Sequence, residues 1–291
     1  MNKNVDLELC FLVHTRKYTD SKNIVTLLTQ HQGLVSGVLR VNKRKKIISN
    51  PPVFCPLHIS WIGKSVLKTI TYWESTNKAF ELIGSSLFCA IYMNEIIARL
   101  LHEEESNNDI FTIYSAALNQ LSHSDGNQFE QEKILRVFEL SMLRALGFEI
   151  NLYVDVEGRK IDAKNLNYYS YDAQAGFAKI SKNELATCSP LSPPLKNDSL
   201  HKNTAANGPS SRQLPQNARQ EAAIYYGPDL FDIVQGDWSE ASLKAAKRLT
   251  RQAFLPLLGV NPSKRGSCFC NWKHNSNRNL NCNLNRNFKK A

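Results

Sequence analysis

Four consecutive cations, Lys43, Arg44, Lys45 and Lys46, end a stretch of apolar runs and turns that begins at Phe11. Arg16, Lys17, Lys22 and Arg40 belong to the same stretch. Ammonium and guanidinium groups at this density neutralise phosphates and displace the counterions around them. A solvated charge run is the ordinary alternative. The rest of the chain tips the reading toward a polyanion, because 36 Lys and Arg against 26 Asp and Glu leave a net charge of +10. A second set, Lys244, Lys247, Arg248 and Arg251, falls at i, i+3, i+4 and i+7 and makes one basic face of a predicted helix. That face suits solubility, a track of phosphates or an acidic peptide.

Residues for bond-breaking chemistry are not gathered in any motif. The sequence has no phosphate-binding Gly-rich loop with Lys and Ser/Thr, and no zinc-protease helix. The acids are dispersed, so no carboxylate pair suggests a metal-dependent nuclease. The seven cysteines are odd in number and scattered, which is not a disulfide framework and points to a reducing compartment. Cys268, Cys270, His274 and Cys282 could offer four ligands, but their spacing fits no standard structural zinc pattern. The expectation is a non-enzymatic protein with no cofactor and no metal. No run approaches the roughly 18 apolar residues of a membrane span. The acids in MNKNVDLELCFLVH make a poor secretory signal.

The elements that must position the cations are short strands. Leu7, Leu9, Phe11 and Val13 alternate with other residues, predicting a strand with one firmly apolar face. Arg16 to Asn23 reads as polar and turn-like. Further strands are predicted at 24–28, 34–41, 53–61 and 66–73, with Gly37 suggesting a bulge or tight bend. Five short strands in about 75 residues favour a small closed barrel of the OB type, whose exposed face and loops bind oligonucleotides. Periodicity alone leaves an SH3-like barrel open.

From Leu82 the period becomes helical. Residues 90, 93, 97 and 100 form one stripe, widened by 88, 91 and 96. Asn94 and Glu95 are its odd members, read as satisfying neighbouring backbone or lying on a polar edge. Helices are also predicted at 110–121, at 132–146 with Gly147 as stop, and at 239–258 with Asp237 or Ser239 as cap. Between them, 149–179 reads as strands and turns, where Tyr168, Tyr169 and Tyr171 either pack the hairpin or stack on bases. Residues 188–218, rich in Pro, Ser and Asn, read as a disordered insert. The Asn-rich tail from residue 261 reads as low-complexity sequence. The fold class expected is α+β: an N-terminal five-stranded OB barrel at 1–78, a mainly helical domain at 79–260 with a small hairpin region, and a basic tail at 261–291.

Two stretches resemble one family, the RecO recombination-mediator proteins of bacterial DNA repair. The first is Arg16, Tyr18, Ser21, Ile24, Val25, Thr29, Gly33 and Gly37, followed by the basic turn. The second is Tyr92-Met93-Asn94-Glu95-Ile96-Ile97, close to the family's tyrosine–x–asparagine–glutamate–leucine signature. Leu135 to Leu140, Leu146-Gly147, Leu243 to Arg248 and Leu258-Gly259 support it in family order. The sequence departs from the family at Val41-Asn42, in the longer insert at 188–218, and after Gly259, where only Pro262-Ser263-Lys264-Arg265 remains of the usual ending. The four-cysteine zinc site of some relatives is absent from 148–188.

The resemblance implies binding of single- and double-stranded DNA and annealing of complementary strands. It implies contact with the acidic C-terminal tail of single-strand DNA-binding protein. It also implies a partner, RecR, with which RecA is loaded onto coated single strands in the RecF pathway. The location implied is the bacterial cytoplasm, on the nucleoid. DNA contact is assigned to Arg16, Lys17, Lys22, Arg40, Lys43, Arg44, Lys45 and Lys46. Lys244, Lys247, Arg248 and Arg251 form a second surface for DNA or the acidic tail. The tail's apolar end needs a hydrophobic groove beside that helix, which no segment of the sequence marks. The rival readings are an RNA-binding OB protein and a nucleic-acid enzyme.

Overall fold

Five extended segments close into a barrel, in the strand order β1-β2-β3-β5-β4. They are β1 (Asn4–Thr19), β2 (Lys22–Thr29), β3 (Gly33–Arg40), β4 (Pro56–Ile62) and β5 (Leu67–Ser75). The computed structural model describes residues 4–40, 51–76, 78–103, 105–164, 166–181 and 223–258. The basic run at 43–46, most of the proposed insert's flanks with the whole of 188–218, and the tail from 261 lie outside the described residues.

The barrel follows the expected OB type, with two local corrections. β1 continues to Thr19 and β2 begins at Lys22, so Arg16 to Asn23 is a ladder with a tight tip at Asp20-Ser21 rather than a loop. Gly37 makes no bulge. β3 pairs with β2 residue by residue, and the glycine is needed where β3 meets β5 in the short parallel seam that closes the barrel. A Cβ there would stand 2.5 Å from Ile70 Cδ1.

β1 is buried on both faces at its centre, which its alternation alone does not reveal. Cys10 and Leu12 point into the barrel core with Val25, Leu27 and Ile59. Phe11 and Val13 join Leu28 and Leu34 in a second core shared with the helices. Leu7, expected on the apolar face, is 49% exposed with φ 49. It sits at a register shift in the β1–β4 ladder, and such a shift turns a side chain to the other face.

The helical platform consists of α1 (Ser85–Leu100), α2 (Asn108–Ser122), α3 (Gln128–Ala145), α4 (Gly227–Gln235) and α5 (Glu240–Leu257). Asn107 and Asn127 cap α2 and α3 through their side-chain oxygens. Ser239, not Asp237, caps α5 in a reciprocal box with Ser242. Gly147, at φ 81, follows the end of α3 as expected. A small sheet, β7-β6-β8, is built from β6 (Tyr168–Asp172), β7 (Gly176–Lys179) and β8 (Ile224–Tyr226). Tyr169 and Tyr171 are buried in it, so they pack the sheet and offer no face to a base. The architecture is therefore α+β: a closed barrel followed by helices and a small sheet.

Barrel and platform are pinned by Phe11 and Asn94. The Phe11 ring lies 5.2 Å from both Phe111 and Tyr114 of α2. Asn94 of α1 donates through Nδ2 to the carbonyl of Val13, and Tyr114 donates its hydroxyl to Asn94 Oδ1. The odd asparagine of the apolar helix is thus a backbone-satisfying residue, as expected. No described helix is long and apolar enough to cross a membrane.

Candidate functional site

Strand pairing gathers the first set of cations at one end of the barrel. Lys22 of β2 stands directly opposite Arg40 of β3. Lys17 and Arg16 of β1 stand opposite Asn23 and Ile24, the next two residues of β2. Like charges directly opposite one another in a ladder repel. Neither Lys22 nor Arg40 has an ion-pair partner among the described residues, so an anion placed between them relieves that repulsion. Lys17 differs, because its Nζ lies 2.7 Å from Asp20 Oδ1. Both groups are exposed, so the pair is weak and opens readily to a competing phosphate. Lys43 to Lys46 belong to the same expectation but fall outside the described residues.

The second set is divided by its surroundings. Lys244 pairs with Glu240 at 3.3 Å, and Arg248 lies 5.4 Å over the Tyr225 ring. Lys247 and Arg251 instead line a groove between α1, α3 and α5, with Phe88, Ile91, Leu135 and Arg136 among the other walls. Phe88 and Ile91, expected to widen the buried stripe of α1, are 45% and 39% exposed there. The groove holds about 220 Å³. That is below the roughly 300–1,000 Å³ of a small-molecule site and suits one large apolar side chain.

Cations flank this apolar slot. Lys247 Nζ lies 3.4 Å from Glu132 Oε1, and burial holds its ammonium below the usual lysine range while Glu132 opposes. Arg136 is only 4% exposed and donates through Nη2 to Glu139 Oε1 at 2.9 Å. Its Nε is buried with no partner, as is Gln131 Oε1. The orientation of that amide follows from its neighbour. Ser124 spends its hydroxyl proton on the Leu121 carbonyl, so it can only accept from Gln131 Nε2, which leaves Oε1 as an unused acceptor. Cys89 also lines the groove, but burial pushes its thiol up to about 11, so it serves as an apolar wall.

Sequence reasoning missed Phe88, Ile91, Gln131 and Arg136 as groove residues. One signal was present: Arg136 and Glu139 occupy the buried stripe of an amphipathic helix, where charge needs a partner. Among the described residues no group of three or more His, Cys, Asp or Glu could hold a metal ion. The four residues considered as zinc ligands, Cys268, Cys270, His274 and Cys282, lie outside the described residues.

A barrel end that concentrates unpaired cations, joined to a platform with a cation-flanked apolar slot, can be compared with known proteins. The family model "Recombination protein O N terminal" matches residues 8–79. The model "Recombination protein O C terminal" matches residues 84–266. The DNA repair protein RecO of Pseudomonas paraeruginosa is 30% identical over 264 residues, covering 90% of this chain and 94% of that protein. The protein of the same name from Coxiella burnetii is 29% identical over 267 residues, covering 91% and 97%. That of Pseudoalteromonas atlantica is 29% identical over 256 residues, covering 87% and 89%. Both halves match in order and nearly the full length aligns, so this chain belongs to the RecO family of DNA repair proteins.

Proposed function

We propose that the protein is a DNA-binding recombination mediator of the RecF pathway, acting without bond-breaking catalysis in the bacterial cytoplasm on the nucleoid. It binds single- and double-stranded DNA and anneals complementary strands. With RecR it helps RecA onto strands coated by single-strand DNA-binding protein. Residues 1–78 serve as the DNA-binding unit and 79–260 as the platform for protein partners. The observation that carries the reading is the opposed pair Lys22 and Arg40 at the barrel end, beside Arg16 and Lys17. Cations there, with Lys43 to Lys46 close behind Arg40 in sequence, neutralise phosphates of two strands at once and lower their mutual repulsion, which is a physical route to annealing.

The deciding experiment is annealing of complementary oligonucleotides precoated with the cognate single-strand DNA-binding protein. Acceleration by this protein is expected. No acceleration, or tighter binding to structured RNA than to single-stranded DNA, would favour an RNA-handling barrel protein instead. In salt titrations, the double variant Lys22→Ala/Arg40→Ala is expected to flatten the log–log slope for single strands by about 1.4, at about 0.7 per lost phosphate contact. Replacing Lys43, Arg44, Lys45 and Lys46 together by Ala should flatten it further with little loss of fold. An unchanged slope in either variant would remove those residues from the DNA surface.

The groove between α1, α3 and α5 supports contact with the acidic tail of single-strand DNA-binding protein. Its apolar slot takes the tail's last side chain while Lys247 and Arg251 face carboxylates. An apolar slot beside cations suits a peptide end, which joins an apolar side chain to a carboxylate, better than a phosphate, which brings no apolar group. The double variant Lys247→Glu/Arg251→Glu is expected to weaken binding of a labelled tail peptide about tenfold or more, because charge reversal makes the groove repel it. Peptide affinity equal to that of the unaltered protein would place the tail elsewhere.

A further inference from the structure

We propose that the groove between β3 and β5 is a nucleotide subsite in which Tyr72 is the platform for one stacked base of single-stranded DNA and Arg40 holds the neighbouring phosphate. The inference rests on the DNA-binding reading above and adds to it a location, a side chain and a mode of contact.

The groove exists because of a β-bulge. In the β4–β5 ladder Ser60 faces Tyr72, while the next residue, Trp61, faces Ile70. Thr71 is therefore the extra residue on β5. In an unbroken strand, residues two apart share a face, so Tyr72 would follow Ile70 into the barrel. With Thr71 inserted, Ile70 enters the core at 6% exposure and Trp73 packs against that same core. Thr71 and Tyr72 both turn outward, and Tyr72 is 47% exposed. A bulge that re-aims a side chain in this way is a recurrent device beside binding sites. Thr71 also satisfies the disrupted ladder, donating its hydroxyl to the Ser60 carbonyl at 3.1 Å.

The ring is presented and held. Its hydroxyl donates to Glu74 Oε2 at 2.7 Å, which restricts where the ring lies. Across the groove, which also includes Leu39, Thr69 and Thr71, stands Arg40. Charge therefore runs from a cation at Arg40 to a carboxylate at Glu74. A phosphate is drawn to the Arg40 side and repelled from the Glu74 side, so the group left to lie on Tyr72 is the base. Arg40 is also the member of the cationic barrel end that reaches this groove, which makes the two surfaces continuous. One side of the barrel is closed to DNA, because Phe11, Val13, Leu28 and Leu34 are buried against the helices. Every base has a π-face, and stacking on one reads no base edge, so the subsite tolerates any sequence.

The test uses the full-length protein and a single-stranded oligonucleotide carrying 2-aminopurine. Quenching of 2-aminopurine fluorescence on binding is expected, since stacking on an aromatic ring quenches it. Tyr72→Ala should weaken binding by about 5- to 150-fold, the range for loss of one stacked base. The salt slope should stay unchanged, because stacking releases no counterion. Tyr72→Phe, which keeps the ring and loses the bond to Glu74, should retain most of the affinity, whereas Tyr72→Leu, which keeps apolar bulk and loses the π-face, should weaken binding as alanine does and replaces that variant should it fail to fold. Affinity of Tyr72→Ala equal to wild type, or loss of affinity accompanied by a flattened salt slope, would overturn the subsite while leaving the DNA-binding reading intact. Failure of the unaltered protein to bind single strands would overturn both.

Discussion

Replacing Glu139 by alanine is expected to destabilise the protein by about 3–5 kcal/mol, the cost of leaving a buried charge without its partner. Glu139 is 1% exposed in the middle of α3. One carboxylate oxygen accepts from Tyr92 of α1 at 2.5 Å and from Arg136 of α3 at 2.9 Å. The other accepts from Thr250 of α5 at 2.5 Å. A single side chain thus joins three helices, and its removal strands the Arg136 guanidinium, which already has one buried N–H without a partner. Denaturation in urea, followed by circular dichroism, measures the loss. A decrease under about 1 kcal/mol would mean that water or another group replaces the carboxylate. The paired change Arg136→Met/Glu139→Leu should recover much of the loss, because exchanging a buried ion pair for apolar residues of similar size is often neutral or stabilising. Tyr92 and Arg136 also line the helical groove, so Glu139→Ala should weaken peptide binding there as well.

Gly33→Ala is expected to cost about 2–5 kcal/mol, from left-handed backbone strain together with overpacking. Gly33 opens β3 with φ +68. A Cβ there would stand 2.0 Å from the carbonyl oxygen of Glu105 and 2.6 Å from its carbon. These are backbone atoms of the link between α1 and α2, which runs beside β3 and bridges Leu34 through Glu103. Neither backbone can rotate away, so the strand or the link must move, and with it the seating of the barrel on the platform. Gly37→Ala offers a comparison within the same strand. Its φ is ordinary and its nearest neighbour is the end of the Ile70 side chain, which can change rotamer. Urea midpoints should therefore fall further for Gly33→Ala than for Gly37→Ala. The reverse order would show that the seam between β3 and β5 is less forgiving than the contact with the helical link.

The five barrel strands and four of the helices were legible in the sequence because they depend on neighbours along the chain, whereas β8 and α4, short elements that carry little periodicity, were not read from it. Period-two runs with Gly and Pro punctuation marked the strands. Stripes such as Ala90, Met93, Ile97 and Leu100 marked a helix whose buried side matches them. Gly147 stopped its helix through a backbone conformation that glycine adopts at little cost. The opening block, the motif around Asn94 and Glu95 and the later matches, taken in order, pointed to the RecO family.

What the sequence could not determine were events between distant segments. Whether β1 shows one apolar face or two depends on whether helices cover the barrel, and they do at Phe11 and Val13. The exposure of Phe88 and Ile91 follows from α3 and α5 leaving a slot beside α1. The outward turn of Tyr72 follows from a register shift against β4, which is a property of a strand pair and not of either strand. Composition and periodicity decided that this is a basic α+β chain with an N-terminal barrel, because those follow from the order of residues along the backbone. Tertiary structure alone decided which cations stand unpaired, which apolar side chains line a groove and which aromatic ring meets solvent, because each depends on what the other side of the contact supplies.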